Sequence, residues 1–255
     1  MNGIKAFALL LALIPMTSAT KPSRRTPNDC APVTFEGSRF THCIATPGLH
    51  QIEMRLSGRD GKVYRGFERL ATETKTVAVS FAMNGGMYDD QRRPIGYYVE
   101  RSTKMQPLNM KEGKGNFYTK PNGVFFGSDA RWEVMSAEAF EEQVIKRPDF
   151  GTQSGPMLVI DGAINAKFDA NGTSLYVRNA VGVDARGQAH FVISQEPVSF
   201  GRMARVMRDL ARTPNALYLD GSVSSLWNPG AKRMDIGHAL GPLILVTRTK
   251  GLAPK

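Results

Sequence analysis

The residues of this chain best equipped for chemistry gather where apolar runs give way to small side chains. Ala216-Leu217-Tyr218-Leu219 reads as a buried strand, and it runs directly into Asp220-Gly221-Ser222-Val223-Ser224-Ser225. A carboxylate on the rigid end of a strand, followed by residues small enough for backbone to approach a ligand, suits general-base work or the steadying of positive charge. The same residues also make an ordinary tight turn closed by an Asx hydrogen bond. Val77-Ala78-Val79-Ser80-Phe81-Ala82-Met83 leads into Asn84-Gly85-Gly86-Met87-Tyr88, where an amide side chain and two glycine N–H groups suit sugar hydroxyls or an anion. Ser154-Gly155-Pro156 opens the apolar run Met157-Leu158-Val159-Ile160. Tyr176-Val177-Arg178-Asn179-Ala180-Val181-Gly182-Val183 sets one arginine inside a strand-like segment, where a guanidinium is costly unless it meets an anion or a carboxylate. Two readings stand for Arg178: a cation that receives an anionic substrate, or an internal salt-bridge partner of Asp220.

Taken in order, these segments resemble the phosphodiester glycosidase family, which includes the enzyme that uncovers sugars by removing N-acetylglucosamine from a sugar-phosphate diester. The family's Asn-Gly-Gly followed by aromatic or apolar residues stands here as Asn84-Gly85-Gly86-Met87-Tyr88, and its Pro-x-Gly as Pro94-Ile95-Gly96. Its arginine four residues before a glycine is Arg178 with Gly182, and its Leu-Asp-Gly-Gly-Gly-Ser-Ser run is Leu219-Asp220-Gly221-Ser222-Val223-Ser224-Ser225. The resemblance is strongest over residues 77–246. Ser222 and Val223 replace glycines, and His238-Ala239 stands where an asparagine-alanine pair is expected. The pattern is similar to a compact bacterial branch of the family.

The resemblance implies cleavage between an anomeric carbon and a phosphate oxygen. A phosphate is a weaker base than a sugar alkoxide, so its departure needs less proton donation and more charge stabilisation. Ordinary glycosidases set two carboxylates across the bond; here one carboxylate and one cation suffice. Asp220 is the expected base or electrostatic partner of the sugar cation, and Arg178 the expected phosphate fork. Glu196, in Ile193-Ser194-Gln195-Glu196-Pro197, is the first choice for a second carboxylate, ahead of Asp89 and Asp161. Asn84, Gly85, Gly86, Ser154, Ser222, Ser224 and His238 are the expected substrate-binding residues. No Gly-x-Ser-x-Gly elbow surrounds Ser224, which speaks against a serine nucleophile. Neither a metal nor a cofactor is called for. Two further readings remain: a glycan-binding module without catalysis, and a phosphodiesterase that cuts the other P–O bond.

The elements that must position these residues are mostly strands. Residues 51–57 alternate, Asp60-Gly61 turns, and residues 62–67 continue as a strand. Hairpins are expected between residues 122–126 and 131–135, between 157–160 and 163–166 about Asp161-Gly162, and between 180–183 and 189–194. Two helices are expected, residues 137–146 behind a Ser136 cap and residues 201–212 behind Ser199, the second with Met203, Val206, Met207 and Leu210 as its apolar stripe. Strand-dominated order with few helices predicts an α+β single domain of mixed, mostly antiparallel sheets.

The ends and the charge complete the picture. Lys5, the apolar run of residues 6–16 and Thr17-Ser18-Ala19 compose a secretory signal over residues 1–19, too short to span a bilayer, which takes about twenty apolar residues. Residues 20–28, rich in proline and basic residues, read as a disordered tether, leaving residues 29–250 as the domain. Without Lys5 the formal net charge of +10 becomes +9, which favours an anionic partner such as a phosphorylated or phosphodiester-linked glycan. The charges are dispersed and carry no nucleic-acid signature, so nucleic acid is not an expected partner; oligomeric state stays open. Cys30 and Cys43 flank a predicted hairpin turning at Gly37-Ser38, and in an oxidising periplasmic or extracellular space they should pair.

Overall fold

The computed structural model describes residues 28–129 and 131–249. The predicted signal and nearly all of the predicted tether lie outside them. In chain order the strands are β1 (Cys30–Phe35), β2 (Ser38–Ala45), β3 (His50–Arg55), β4 (Val79–Asn84), β5 (Tyr98–Glu100), β6 (Thr103–Gln106), β7 (Gly123–Ser128) and β8 (Arg131–Ser136). They continue with β9 (Phe150–Ser154), β10 (Met157–Ile160), β11 (Ala163–Ile164), β12 (Asn179–Val183), β13 (Ala189–Ser194), β14 (Asn215–Tyr218), β15 (Leu226–Asn228), β16 (Arg233–Met234) and β17 (Leu243–Arg248). The helices are α1 (Phe67–Glu73), α2 (Ala137–Gln143) and α3 (Phe200–Arg205), the last running into a wider π-type turn over Val206–Leu210.

The strands form three sheets, ordered β1-β2-β13-β12-β14-β10-β11, β16-β15-β4-β17-β3 and β6-β5-β9-β7-β8. Their ladders are antiparallel. The sheets meet in a common core to which each contributes a phenylalanine. Phe191 of β13 takes Phe81 of β4 and Phe125 of β7 edge-on, with centroids at 5.2 and 5.7 Å. Each sheet buries its outer face under one helix: α3 covers the first, α1 the second and α2 the third. That is why β13 is buried along its whole length on both faces, His190 and Ser194 included. The class is α+β, as the sequence implies.

Local chemistry explains the boundaries. Ser136 caps α2 by accepting from the Ala139 amide at 3.1 Å, and Ser199 caps α3 by accepting from Arg202 at 3.2 Å. The basic face of α3 docks on the first hairpin, where Glu36 takes Arg205 at 2.7 Å and Arg202 at 3.5 Å. That hairpin turns at Glu36-Gly37, one residue earlier than expected, because a tight primed turn needs positive φ at both central residues and they take +47° and +76°. The shift sets Cys30 directly opposite Cys43, and the two form a disulfide. The segment expected to continue as a strand through Phe67 instead yields α1, whose buried Phe67 and Leu70 sit one turn apart against the second sheet.

Candidate active site

Asp220 leaves the end of β14 in the middle of the first sheet, and Asn84 ends β4 in the second. The two strand ends meet, and Asn84 and Asn179 are the clasp between them. The Asn84 side-chain amide donates to the Asp220 carbonyl at 3.1 Å, while its Oδ1 accepts from the Ser225 amide at 2.8 Å and from Asn179 Nδ2 at 2.9 Å. Asn179 Oδ1 in turn accepts from the Asp220 amide and the Ser224 hydroxyl, each at 3.2 Å. Ser224 also donates to the Val177 carbonyl at 3.0 Å, and Ser154 to the Leu219 carbonyl at 2.5 Å. Both amide groups of Asn84 and of Asn179 are therefore spent on holding the 219–225 backbone in one shape.

The Asp220 carboxylate is what this frame presents. Among the described residues no cation pairs with it; Ser222 donates its hydroxyl to Oδ1 at 3.1 Å. Burial raises its pKa above the ordinary carboxylate range, opposed by the Ser222 hydroxyl and amide. Tyr88 is its aromatic neighbour. The Tyr88 hydroxyl donates to the Ala239 carbonyl at 2.9 Å, and burial together with the Asp220 charge pushes its pKa up to about 12. Gly241 is required beside it, since a Cβ there would stand 2.3 Å from Tyr88 Cδ1.

Arg178 takes neither role expected of it. The residue is fully buried and forms no ion pair with Asp220 among the described residues. Its Nε donates to the Val198 carbonyl at 2.8 Å, Nη1 to the Tyr218 hydroxyl at 3.1 Å, and Nη2 to the Ser174 carbonyl at 2.9 Å. Phe200 stacks on the guanidinium with its centroid 3.6 Å from Cζ. The fork is satisfied by the loop that folds over it, so no phosphate is needed to explain its burial. It reaches the site indirectly. The Tyr218 hydroxyl it holds packs against Gly221, where a Cβ would lie 1.8 Å from that oxygen, so glycine is obligatory after the carboxylate.

Other expected positions are also redirected. Glu196 lies on the surface, held by the Arg39 amide at 2.7 Å and the Arg39 guanidinium at 3.1 Å, and makes no hydrogen bond to the Asp220 cluster among the described residues. The Gly85 amide donates to the Pro242 carbonyl at 2.7 Å and the Gly86 amide to the Thr152 hydroxyl at 3.1 Å, so neither is open to an anion. Ser154, Asn84 and Ser224 turn inward and build the frame. Ser222 stays exposed beside the carboxylate, and His238 is exposed on the loop that continues to Ala239. Asp161 is the hairpin turn residue, with φ +48°. Sequence patterning does not mark Asn179 or Tyr218 as site residues, although a second polar residue directly after Arg178 at the head of an apolar strand is a signal for Asn179. Among the described residues no group of three or more His, Cys, Asp or Glu side chains is arranged to hold a metal. A groove of about 820 Å³ against β7, β8 and α2 shares no residue with this cluster.

With this geometry in view, the sequence pattern of the phosphodiester glycosidase family matches residues 78–237, which contain Asn84, Arg178 and Asp220. The chain belongs to the phosphodiester glycosidase family. It is 30% identical over 231 residues to the uncharacterized protein YigE of Escherichia coli K12, covering 89% of this chain and 87% of that one. Its fold is similar to the catalytic domain of zebrafish N-acetylglucosamine-1-phosphodiester alpha-N-acetylglucosaminidase, solved auto-inhibited by its pro-peptide. The TM-score is 0.57 at 14% identity, over 85% of this chain and 81% of the other. A hypothetical protein from Synechocystis is similar at TM-score 0.51 and 14% identity, over 86% of this chain and 61% of its own.

Proposed function

We propose that this member of the family is an exported hydrolase that cleaves glycosyl phosphodiesters of the cell envelope or its surroundings at the bond between anomeric carbon and phosphate oxygen. The observation that carries this reading is Asp220: a carboxylate at a strand end, unpaired by any cation among the described residues, raised in pKa by burial and fixed by a rigid backbone frame. A carboxylate made more basic by its surroundings takes a proton from water more readily. The water oxygen bonds to the anomeric carbon as the bond from that carbon to the bridging oxygen breaks, giving free sugar and a phosphate monoester. The proton passes through Asp220 to solvent or product. Arg178 acts through Tyr218 as a positioning residue. The disulfide supports an oxidising compartment.

The zebrafish enzyme's name makes an N-acetylglucosamine 1-phosphodiester the first substrate to try. Incubation of the purified protein with a chromogenic sugar 1-phosphodiester in oxygen-labelled water tests the reading. Free sugar carrying the label is the expected product. Release of sugar phosphate would assign the other P–O bond, and binding without turnover would make the protein a glycan-binding module.

A further inference from the structure

We propose that Arg92 is the cation that receives the phosphate group of the substrate. The assignment rests on the functional reading above and names the group in that site that recognises the anion. Arg92 and Arg93 follow Asp89 in the loop between β4 and β5, and Asp89 treats them differently. Its carboxylate accepts from the amides of Gln91 and Arg93, both at 2.9 Å, and from the Arg93 guanidinium at 2.9 and 2.8 Å. Arg93 is thereby neutralised. The Arg92 amide donates to the Asp89 carbonyl at 2.8 Å, and the turn closes with Arg92 at φ +66°, a left-handed conformation that disfavours a branched chain.

The turn directs the Arg92 side chain onto Tyr88, with Cζ 5.2 Å from the ring centroid. There its Nε is buried and lacks a hydrogen-bond partner among the described residues, and no carboxylate among them pairs with it. Such an orphaned donor costs stability unless a ligand supplies the acceptor. Its platform is rigid, because Tyr88 is fixed at its hydroxyl by Ala239 and at its edge by Gly241. The same tyrosine hydroxyl experiences the charges of both Asp220 and Arg92, so Tyr88 is the residue that the carboxylate and the guanidinium share. A planar fork held on an aromatic face with free donors is pre-organised for the two oxygens of a phosphate. Arg178, whose donors the fold consumes, leaves that role open.

Calorimetric titration with inorganic phosphate, alongside hydrolysis of a sugar 1-phosphodiester, tests the assignment. Arg92→Gln should weaken phosphate binding and raise KM for the diester by about tenfold or more, the loss of a charge-assisted contact, while the melting temperature stays within about 2 °C. Arg92→Lys should bind phosphate more tightly than Arg92→Gln yet more weakly than the native chain, and it keeps the test alive if the glutamine variant does not fold. Arg131→Gln, exposed on β8, should match the native chain in both measurements and so exclude a general charge effect. Native protein that does not bind phosphate, or Arg92→Gln protein that binds it as tightly as the native chain, would overturn the proposal. Phosphate binding that depends on Arg92 with no diester cleaved would leave Arg92 standing and remove the hydrolase reading instead.

Discussion

Asp220 and Arg178 show how differently two charged residues from the same sequence argument come to rest. Asp220 is readable because a strand followed by small residues admits few positions for its carboxylate. The direction of the Arg178 guanidinium is not readable, because its acceptors come from Ser174 and Val198 in loops whose course no local pattern specifies. The Asp220 pKa is raised in the folded state, so the fold holds that proton longer than the unfolded chain does, and the residue's contribution to stability falls as pH rises through the window between the two values. At neutral pH the charge opposes folding. Asp220→Asn should therefore melt at or above the native temperature at pH 7 and retain affinity for the diester, while turnover drops by about 10³, within the range for loss of a general base. Thermal melts beside kcat check this; a lower melting temperature with activity surviving in the folded fraction would assign Asp220 to structure. Arg178→Gln should behave oppositely. It strands the Val198 and Ser174 carbonyls and the Tyr218 hydroxyl, at a cost of about 1–3 kcal/mol for each buried group left without a partner in denaturant unfolding, and native-like stability would count against the positioning role.

Between elements, the decisive contact is the clasp that joins the ends of β4, β12 and β14. Asn84, 1% exposed, looks in the sequence like a ligand-binding amide ahead of two glycines. In the fold its acceptors and donors serve Asn179, Ser225 and Asp220 instead. Asn84→Ala is accordingly expected to destabilise the protein by about 2–4 kcal/mol, since it leaves buried groups without partners. Asn179→Ala should cost a similar amount, and the double variant should cost less than their sum by about 1 kcal/mol or more, because the two share one network. Urea unfolding of the three variants measures that coupling, and strict additivity would refute it. Sequence patterns recover the hairpins about Asp161-Gly162 and 184–187 because turn residues act locally. They miss α1, whose short apolar face gains its meaning from the second sheet. They also miss the clasp, because the partners lie 95 and 136 residues apart in the chain.

Across the whole molecule, the three sheets share a common core, and acid attacks two polar groupings at different pH values, one within the first sheet and one between the first and the second. His42 on β2 lies against His190 on β13, Nε2 to Nδ1 at 2.9 Å, with Asp184 3.3 Å from His190 Nε2. Burial, with the neighbouring His190, lowers the His42 pKa to about 4, so between the ordinary value of 6.5 and that value the unfolded chain binds the additional proton. Stability falls as pH drops through that window. Asp29, just before β1, ties the first sheet to the second through His50 on β3, Ser80 on β4 and Arg248 on β17. Burial opposes its ionisation, but the hydrogen bonds from His50 and Ser80 together with the charges of His50 and Arg248 outweigh it and lower its pKa below 3.8, so its contribution is present above that value and lost as pH falls beneath it. Acid unfolding should therefore proceed in two stages. His42→Gln should reduce the loss between pH 6.5 and pH 4 by about 2–3 kcal/mol, from a shift worth 1.36 kcal/mol per pH unit less a discount for partial exposure. Asp29→Asn should lower stability at pH 7 and flatten the decline below pH 3.8. Guanidinium unfolding at pH 7, 5, 4 and 3 separates the stages; curves for His42→Gln that run parallel to the native ones from neutral to acid would remove the histidine pair from the account.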